Sequence, residues 1–174
     1  MKRLTGMILT LVIMGSAAVP CFAFGWNKNA AAQPQESAAN TVYAFSAAGI
    51  EILVGSEADP VVEKLGAPQK TFEQDSCAYQ GKDIVYTYPG FELSVFPDGG
   101  KNRIADIYIP DGSSVTTPEG IAPGAAKDAF IKAYGNDYTE KWGVYRYKKG
   151  DSELIFFTKG DKVEAIEYQF AKQG

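Results

Sequence analysis

Residues 55 to 66 read GSEADPVVEKLG and residues 124 to 135 read GAAKDAFIKAYG. Each stretch runs from one glycine through ten residues to another, and the two lie sixty-nine positions apart. In the second, Ala126, Ala129, Phe130 and Ala133 recur at i, i+3, i+4 and i+7, which predicts a helix with one apolar face. Gly135 suits the left-handed position just past its end. In the first, Asp59 before Pro60 predicts an N-cap followed by proline at the first helical position. Val61, Val62 and Leu65 supply the apolar contacts, and Gly66 and Pro68 end the helix.

The correspondence continues downstream with a second offset. Tyr86, Tyr88, Ile104 and Ile107 map onto Tyr145, Tyr147, Val163 and Ile166 at a distance of 59. The ten-residue difference falls in one place, between helix and first strand, where Ala67 to Val85 is nineteen residues and Asn136 to Val144 is nine. Two consistent offsets separated by one insertion predict a tandem repeat with a surface elaboration in its first unit.

After each helix come runs rich in Tyr, Val, Ile and Phe: Ile84 to Tyr88, Phe91 to Phe96 and Ile104 to Ile109, then Val144 to Tyr147, Glu153 to Thr158 and Val163 to Phe170. Glycine-bearing turns separate them, so neighbours are expected to pair as hairpins, and connections this short forbid parallel crossovers. A further hairpin is expected before the first helix, from Thr41 to Phe45 and Ile50 to Val54. The predicted fold class is α+β: tandem duplicated units of a helix plus a three-stranded antiparallel meander, forming an antiparallel sheet with helices on one face. The first unit, with its extra hairpin and long loop, spans 41–115, and the second spans 116–174. TTPEGI (116 to 121) falls in the linker 116–123, where Pro118 stiffens the chain and Gly120 permits a turn.

Ahead of the first unit, Lys2 and Arg3 precede an apolar run from Met7 to Met14 and then small residues, the pattern of a secretory signal over 1–23. It is too short for a permanent span, and no transmembrane span is expected in the mature chain. Cleavage after Ala23 would release a secreted or otherwise extracytoplasmic protein. Lipid attachment at Cys21 is the alternative, although Pro20 stands where a small residue is wanted. Residues 24–40 are mostly small and polar and read as a flexible leader.

Without the signal, 15 Lys and Arg face 21 Asp and Glu, a charge near −6. Such an acidic balance argues against nucleic acid, whose binding runs on clustered Lys and Arg. Cys77 is then the sole thiol of the mature fold, so an internal disulfide is ruled out.

The run SCAYQGKDIVYTYPGFELSVF (76 to 96), the TTPEGI at 116 and the AYGNDY at 133 to 138 resemble a family of small exported proteins and lipoproteins of Gram-positive anaerobes to which no function is attached. More distantly, tandem helix-and-meander units are similar to the β-lactamase inhibitor protein fold and to a small outer-membrane assembly lipoprotein. Two helices precede each meander there and one is visible per unit here, so the likeness implies a fold and carries no inhibitory activity across.

There is no histidine in the chain, which removes the commonest general base, the usual Ser and Cys triads and most zinc ligation. No calcium loop occurs, and no metal, cofactor or catalytic residue is expected. Cys77 beside Tyr79 lacks an activating partner and reads as a packed residue or a loop thiol. Carboxylates alone can hydrolyse glycans, and Asp98, Asp106, Asp111 and Glu119 lie near turns. The repeated Tyr86, Tyr88, Tyr145 and Tyr147 project in pairs from one side of their strands. Either they form a partner-binding platform on an open sheet face, or they fill the space between helices and sheet. The expected function is a non-enzymatic exported binding module for a protein or cell-envelope component. A carboxylate-dependent envelope glycan hydrolase and an inhibitor of a secreted enzyme are the alternatives.

Overall fold

A computed structural model describes residues 42 to 171. The signal, leader and Cys21 readings lie outside the described residues.

The runs rich in Tyr, Val, Ile and Phe become strands of one sheet. Strands β1 (Ala44–Ala47) and β2 (Ile50–Leu53) form the hairpin expected at the start, and α1 (Asp59–Leu65) follows. Then come β3 (Lys70–Asp75), β4 (Lys82–Tyr88), β5 (Phe91–Asp98) and β6 (Lys101–Ile109). Helix α2 (Lys127–Tyr134) precedes β7 (Thr139–Lys141), β8 (Val144–Lys149), β9 (Ser152–Lys159) and β10 (Lys162–Phe170). The last eight strands make one antiparallel sheet in the order β3-β4-β5-β6-β10-β9-β8-β7. The protein is thus α+β, mostly antiparallel sheet with two helices.

Each meander has four strands, not the three expected. The additional ones, β3 and β7, are the sheet's margins, and every residue in them is exposed. A strand with no buried face shows no apolar alternation, which is why KTFEQD and TEK read as loop. The nineteen residues after α1 are therefore largely a long β3–β4 hairpin, while β7 and β8 turn directly at Trp142-Gly143.

One face of the sheet is covered. On β5 the odd positions Phe91, Leu93, Val95 and Pro97 are buried and the even ones partly exposed. In register beside them stand Tyr88, Tyr86 and Ile84 on one side and Ile107 and Ile104 on the other. Across the central ladder Ile109 pairs with Ile166 and Ile107 with Tyr168. Phe130 of α2 stacks on Phe156 at 4.3 Å between ring centroids, and Val61, Val62 and Leu65 of α1 pack on the same core. The β1–β2 hairpin completes the cover: Phe45 is fully buried, 5.2 Å from Phe91 and 5.6 Å from Tyr168, so it bridges the two meanders.

The helix details differ from expectation in two respects. Asp59 lies inside the first turn and its carboxylate accepts from Asn102, with Ala58 at the cap position. Ala126 is the N-cap of α2, outside the helix, and it and Ala133 are exposed; the inward side is Phe130 with half-buried Ala129, Ile131 and Tyr134. Large rings outcompete alanine methyls for the buried face because they remove more apolar area from water. Both helices end on a glycine in a conformation reserved for that residue, Gly66 at φ 78, ψ −165 and Gly135 at φ 86, ψ −166. The 116–123 segment is a tight turn in which Thr117 is buried and bonds to Ile121 through both its backbone and its hydroxyl.

Candidate functional site

The tyrosine rows face the core. Tyr86 and Tyr88 register with Leu93 and Phe91, Tyr145 and Tyr147 with Phe156 and Leu154, and those partners are all buried. Tyr88 is 4% exposed and Tyr147 1%, while Tyr86 and Tyr145 are half-buried against the same cluster. Tyr147 donates to the Gly135 carbonyl at 2.9 Å, Tyr88 to the Gly66 carbonyl at 3.3 Å. The rows therefore do not make an open platform: Tyr88 and Tyr147 span from sheet to helix end and use their hydroxyls there, while Tyr86 and Tyr145 pack against the same core. Period-two spacing put each pair on one side of its strand, but the choice of side depends on registers that only the folded sheet supplies.

The face opposite the helices carries a different feature. Ser76 N donates to Gly81 O, closing the tip of the β3–β4 hairpin, and the tip leans onto the end of β5. A side chain at Gly81 would come within 2.9 Å of Pro97, and the ring of Tyr79 sits 5.4 Å from that of Phe96. Phe96 in turn stacks with Phe170, centroids 6.3 Å apart and planes 16° from parallel. Gly55 leaves room for Phe170: it holds φ 79, and a Cβ there would lie 2.6 Å from the ring. Beneath this row of three rings is a groove of about 440 Å³, lined also by Val85, Ser94 and Asp106.

A β-bulge shapes the floor. Ser94 pairs with Asp106 and Val95 with Ile104, so Ala105 is an extra residue on β6 and also lines the groove. Bulges re-aim neighbouring side chains, and here Ser94 Oγ donates to Asp106 Oδ1 at 2.9 Å. Burial pushes the Asp106 carboxyl above the usual range, the Ser94 hydrogen bond pulls it back, and Glu92 raises it again. Glu167 of β10 is raised as well, by burial first and by Asp106 second, with Arg146 opposing. The acidic group that the open face gathers is thus Asp106 with Glu92 and Glu167.

The other acids singled out in the sequence are not brought to one place. Asp98 pairs with Arg103 at 2.6 Å at a hairpin end, and Asp111 is exposed. Glu119 accepts from the Tyr134 hydroxyl on the helix side, away from the face that carries Asp106. Among the described residues, no group of three or more Cys, Asp or Glu is placed to hold a metal ion. None of the described helices is long and apolar enough to cross a membrane. Cys77 is an exposed thiol at the β3–β4 tip.

No family model, curated protein or solved structure matches this chain.

Sequence reasoning missed the groove because its walls come from three distant segments. Tyr79, Phe96 and Phe170 share no periodicity, and the available signal was the long stretch from Ala67 to Val85, which carries Tyr79 at the hairpin tip. It also missed Trp142. That residue is 89% exposed at φ 55, first of two positive-φ residues in the β7–β8 turn, with Lys141 Nζ 4.2 Å from its ring centroid.

Proposed function

We propose that this protein is an exported, non-enzymatic binding module whose ligand occupies the groove between the β3–β4 hairpin and the open face of the sheet. The observation that carries the reading is the aromatic row Tyr79, Phe96 and Phe170 held over a floor where Ser94 and Asp106 stand as polar groups among Val85, Val95 and Ala105. Its volume, about 440 Å³, falls in the range of small-molecule sites, which combine apolar walls with a few placed polar groups.

The groove gains meaning from a second proposal, that the chain is a tandem duplication. Support comes from bonds that recur at the two sequence offsets. Gly55 N donates to Ile104 O and Gly124 N to Val163 O; Ala58 N donates to Asn102 O and Lys127 N to Asp161 O. The isolated bridges Glu57 to Arg103 and Ala126 to Lys162 correspond, as do the bulges at Ala105 and Glu164. In the central ladder Tyr108 pairs with Glu167, its own equivalent, so an approximate two-fold axis passes between them. On this view the insertion is confined to the β3–β4 hairpin, since Phe72 pairs with Val85 as Lys141 pairs with Val144. An elaboration added to one copy, folding back to wall a groove, is the expected mark of a copy turned to binding.

The test is a nuclear magnetic resonance screen of small polar molecules against the full chain. Ligands that move the amides of Tyr79, Ser94 and Ala105, and cease to do so in Phe96→Ala and after deletion of residues 74 to 83, support the reading. Ligands that act only elsewhere, or unchanged binding in both variants, overturn it.

A further inference from the structure

Resting on that reading, we infer that the groove selects an organic cation: a small molecule or side chain presenting an ammonium group. Its lining includes two carboxylates, Asp83 and Asp106, and neither lysine nor arginine. Two basic residues on the strands that wall it, Lys82 of β4 and Arg103 of β6, are held by other partners. Lys82 pairs with Glu73 at 2.8 Å, and Arg103 pairs with Asp98 while donating to the Gly55 carbonyl. Glu92 and Glu167 extend the negative field across the same face, with Arg146 tied to Glu153 at 3.1 Å. A concave site lined by charge of one sign concentrates ions of the other.

The rings point the same way. The faces of Tyr and Phe attract ammonium and guanidinium groups within about 6 Å of the ring centre, and more strongly where water is excluded. A row of three such rings beside a carboxylate offers the cation both terms at once. The Asp106 carboxylate is costly where it stands, since burial opposes its charge. An ammonium group beside it offsets that cost, whereas a carboxylate or phosphate ligand would add to it. Neutral apolar ligands leave the two acids without a counterpart.

Three probes decide the matter on the nitrogen-labelled full chain: choline, a tripeptide with a central lysine and blocked ends, and neohexyl alcohol, the uncharged isostere of choline. The expected result is that choline or the lysine peptide moves the amides of Tyr79, Ser94 and Asp106, while neohexyl alcohol binds at least about tenfold more weakly. Whichever cation binds more tightly identifies the source as a free small ammonium compound or a lysine side chain. Asp106→Asn, which retains the shape and the hydrogen bond from Ser94, should weaken the cation by about tenfold and leave the alcohol unchanged. If neohexyl alcohol binds as tightly as choline, or alone moves these amides, the cation inference falls and the groove reading stands. If no probe moves them, the cation inference falls, and the broader screen decides the groove independently.

Discussion

The Tyr147 hydroxyl donates to the carbonyl of Gly135 at 2.9 Å, tying the last turn of α2 to the strand beneath it. A helix leaves its final carbonyls without internal partners, and this one ends over a core of rings packed at an angle to one another, where water has little access. Tyr147→Phe keeps the ring and removes the bond. The expected loss is about 1 kcal/mol in urea unfolding, and Tyr88→Phe, whose bond is longer at 3.3 Å, should cost less. Equal costs would show that the two ties do not differ in strength.

The same tyrosine sets a limit in alkali. Burial, with Tyr138, Tyr43 and Tyr145 adding to it, pushes its pKa up to about 12, and Tyr134 and Tyr168 are also raised by burial. A group whose folded pKa exceeds its unfolded value of about 10 gives stability that is complete below that pH and lost as pH rises through the folded value. Unfolding free energy should therefore be flat from neutrality to about pH 10 and fall steeply above it. Tyr147→Phe should make the fall shallower, as read from denaturant midpoints along a pH series.

Asp106 acts in the opposite part of the scale. Its folded pKa is raised chiefly by burial, so its favourable contribution is present below the unfolded value of about 3.9 and disappears as pH rises through the folded one. At neutral pH the charge opposes folding. Asp106→Asn, with the Ser94 bond kept, should stabilise the protein on the order of 1 kcal/mol at pH 7 and make no difference near pH 3. A destabilised variant at pH 7 would mean that the carboxylate has compensating contacts.

Phe45 is fully buried between Phe91 and Tyr168. Phe45→Ala should cost about 3–5 kcal/mol, the usual range for a core phenylalanine, measured by thermal or urea unfolding. Because the ring touches both meanders, the loss should loosen amide protection in β5 and β10 together rather than in one alone.

Trp142 occupies a left-handed position that bulky residues adopt at a cost of roughly 1–2 kcal/mol, in a turn that favours Asn-Gly. Trp142→Asn should accordingly raise stability by about 1 kcal/mol, less whatever the Lys141 contact contributes. No gain would mean that the indole's own contacts match the strain.

Much of this fold was legible before any coordinates. The run Phe91 to Phe96 became a strand with one buried face; the Gly-Gly at 99 and 100 became a turn with both residues at positive φ. What escaped had no local signature. Strand β3 buries nothing, so its sequence carries no period. Tyr86 and Tyr88 announce a shared side, yet only pairing with Leu93 and Phe91 settles that it is the inner one. Asp106 looked like a turn acid and is a mid-strand residue re-aimed by the extra Ala105. The groove depends on Tyr79, Phe96 and Phe170 meeting across the sheet, a fact of tertiary folding that spacing along the chain does not encode.

An open sheet leaves two rims of unpaired backbone amides and carbonyls, at β3 and at β7. Lys70, Glu73 and Asp75 line the first with charge of both signs, and the second is three residues long with Glu140 and Lys141 among them. A second chain approaching either rim meets solvated charge or too short a ladder to add itself, so strand-by-strand growth into fibres is discouraged at both ends. Neutralising the three charged residues of β3 would remove that protection on the side where Phe72 already stands 60% exposed.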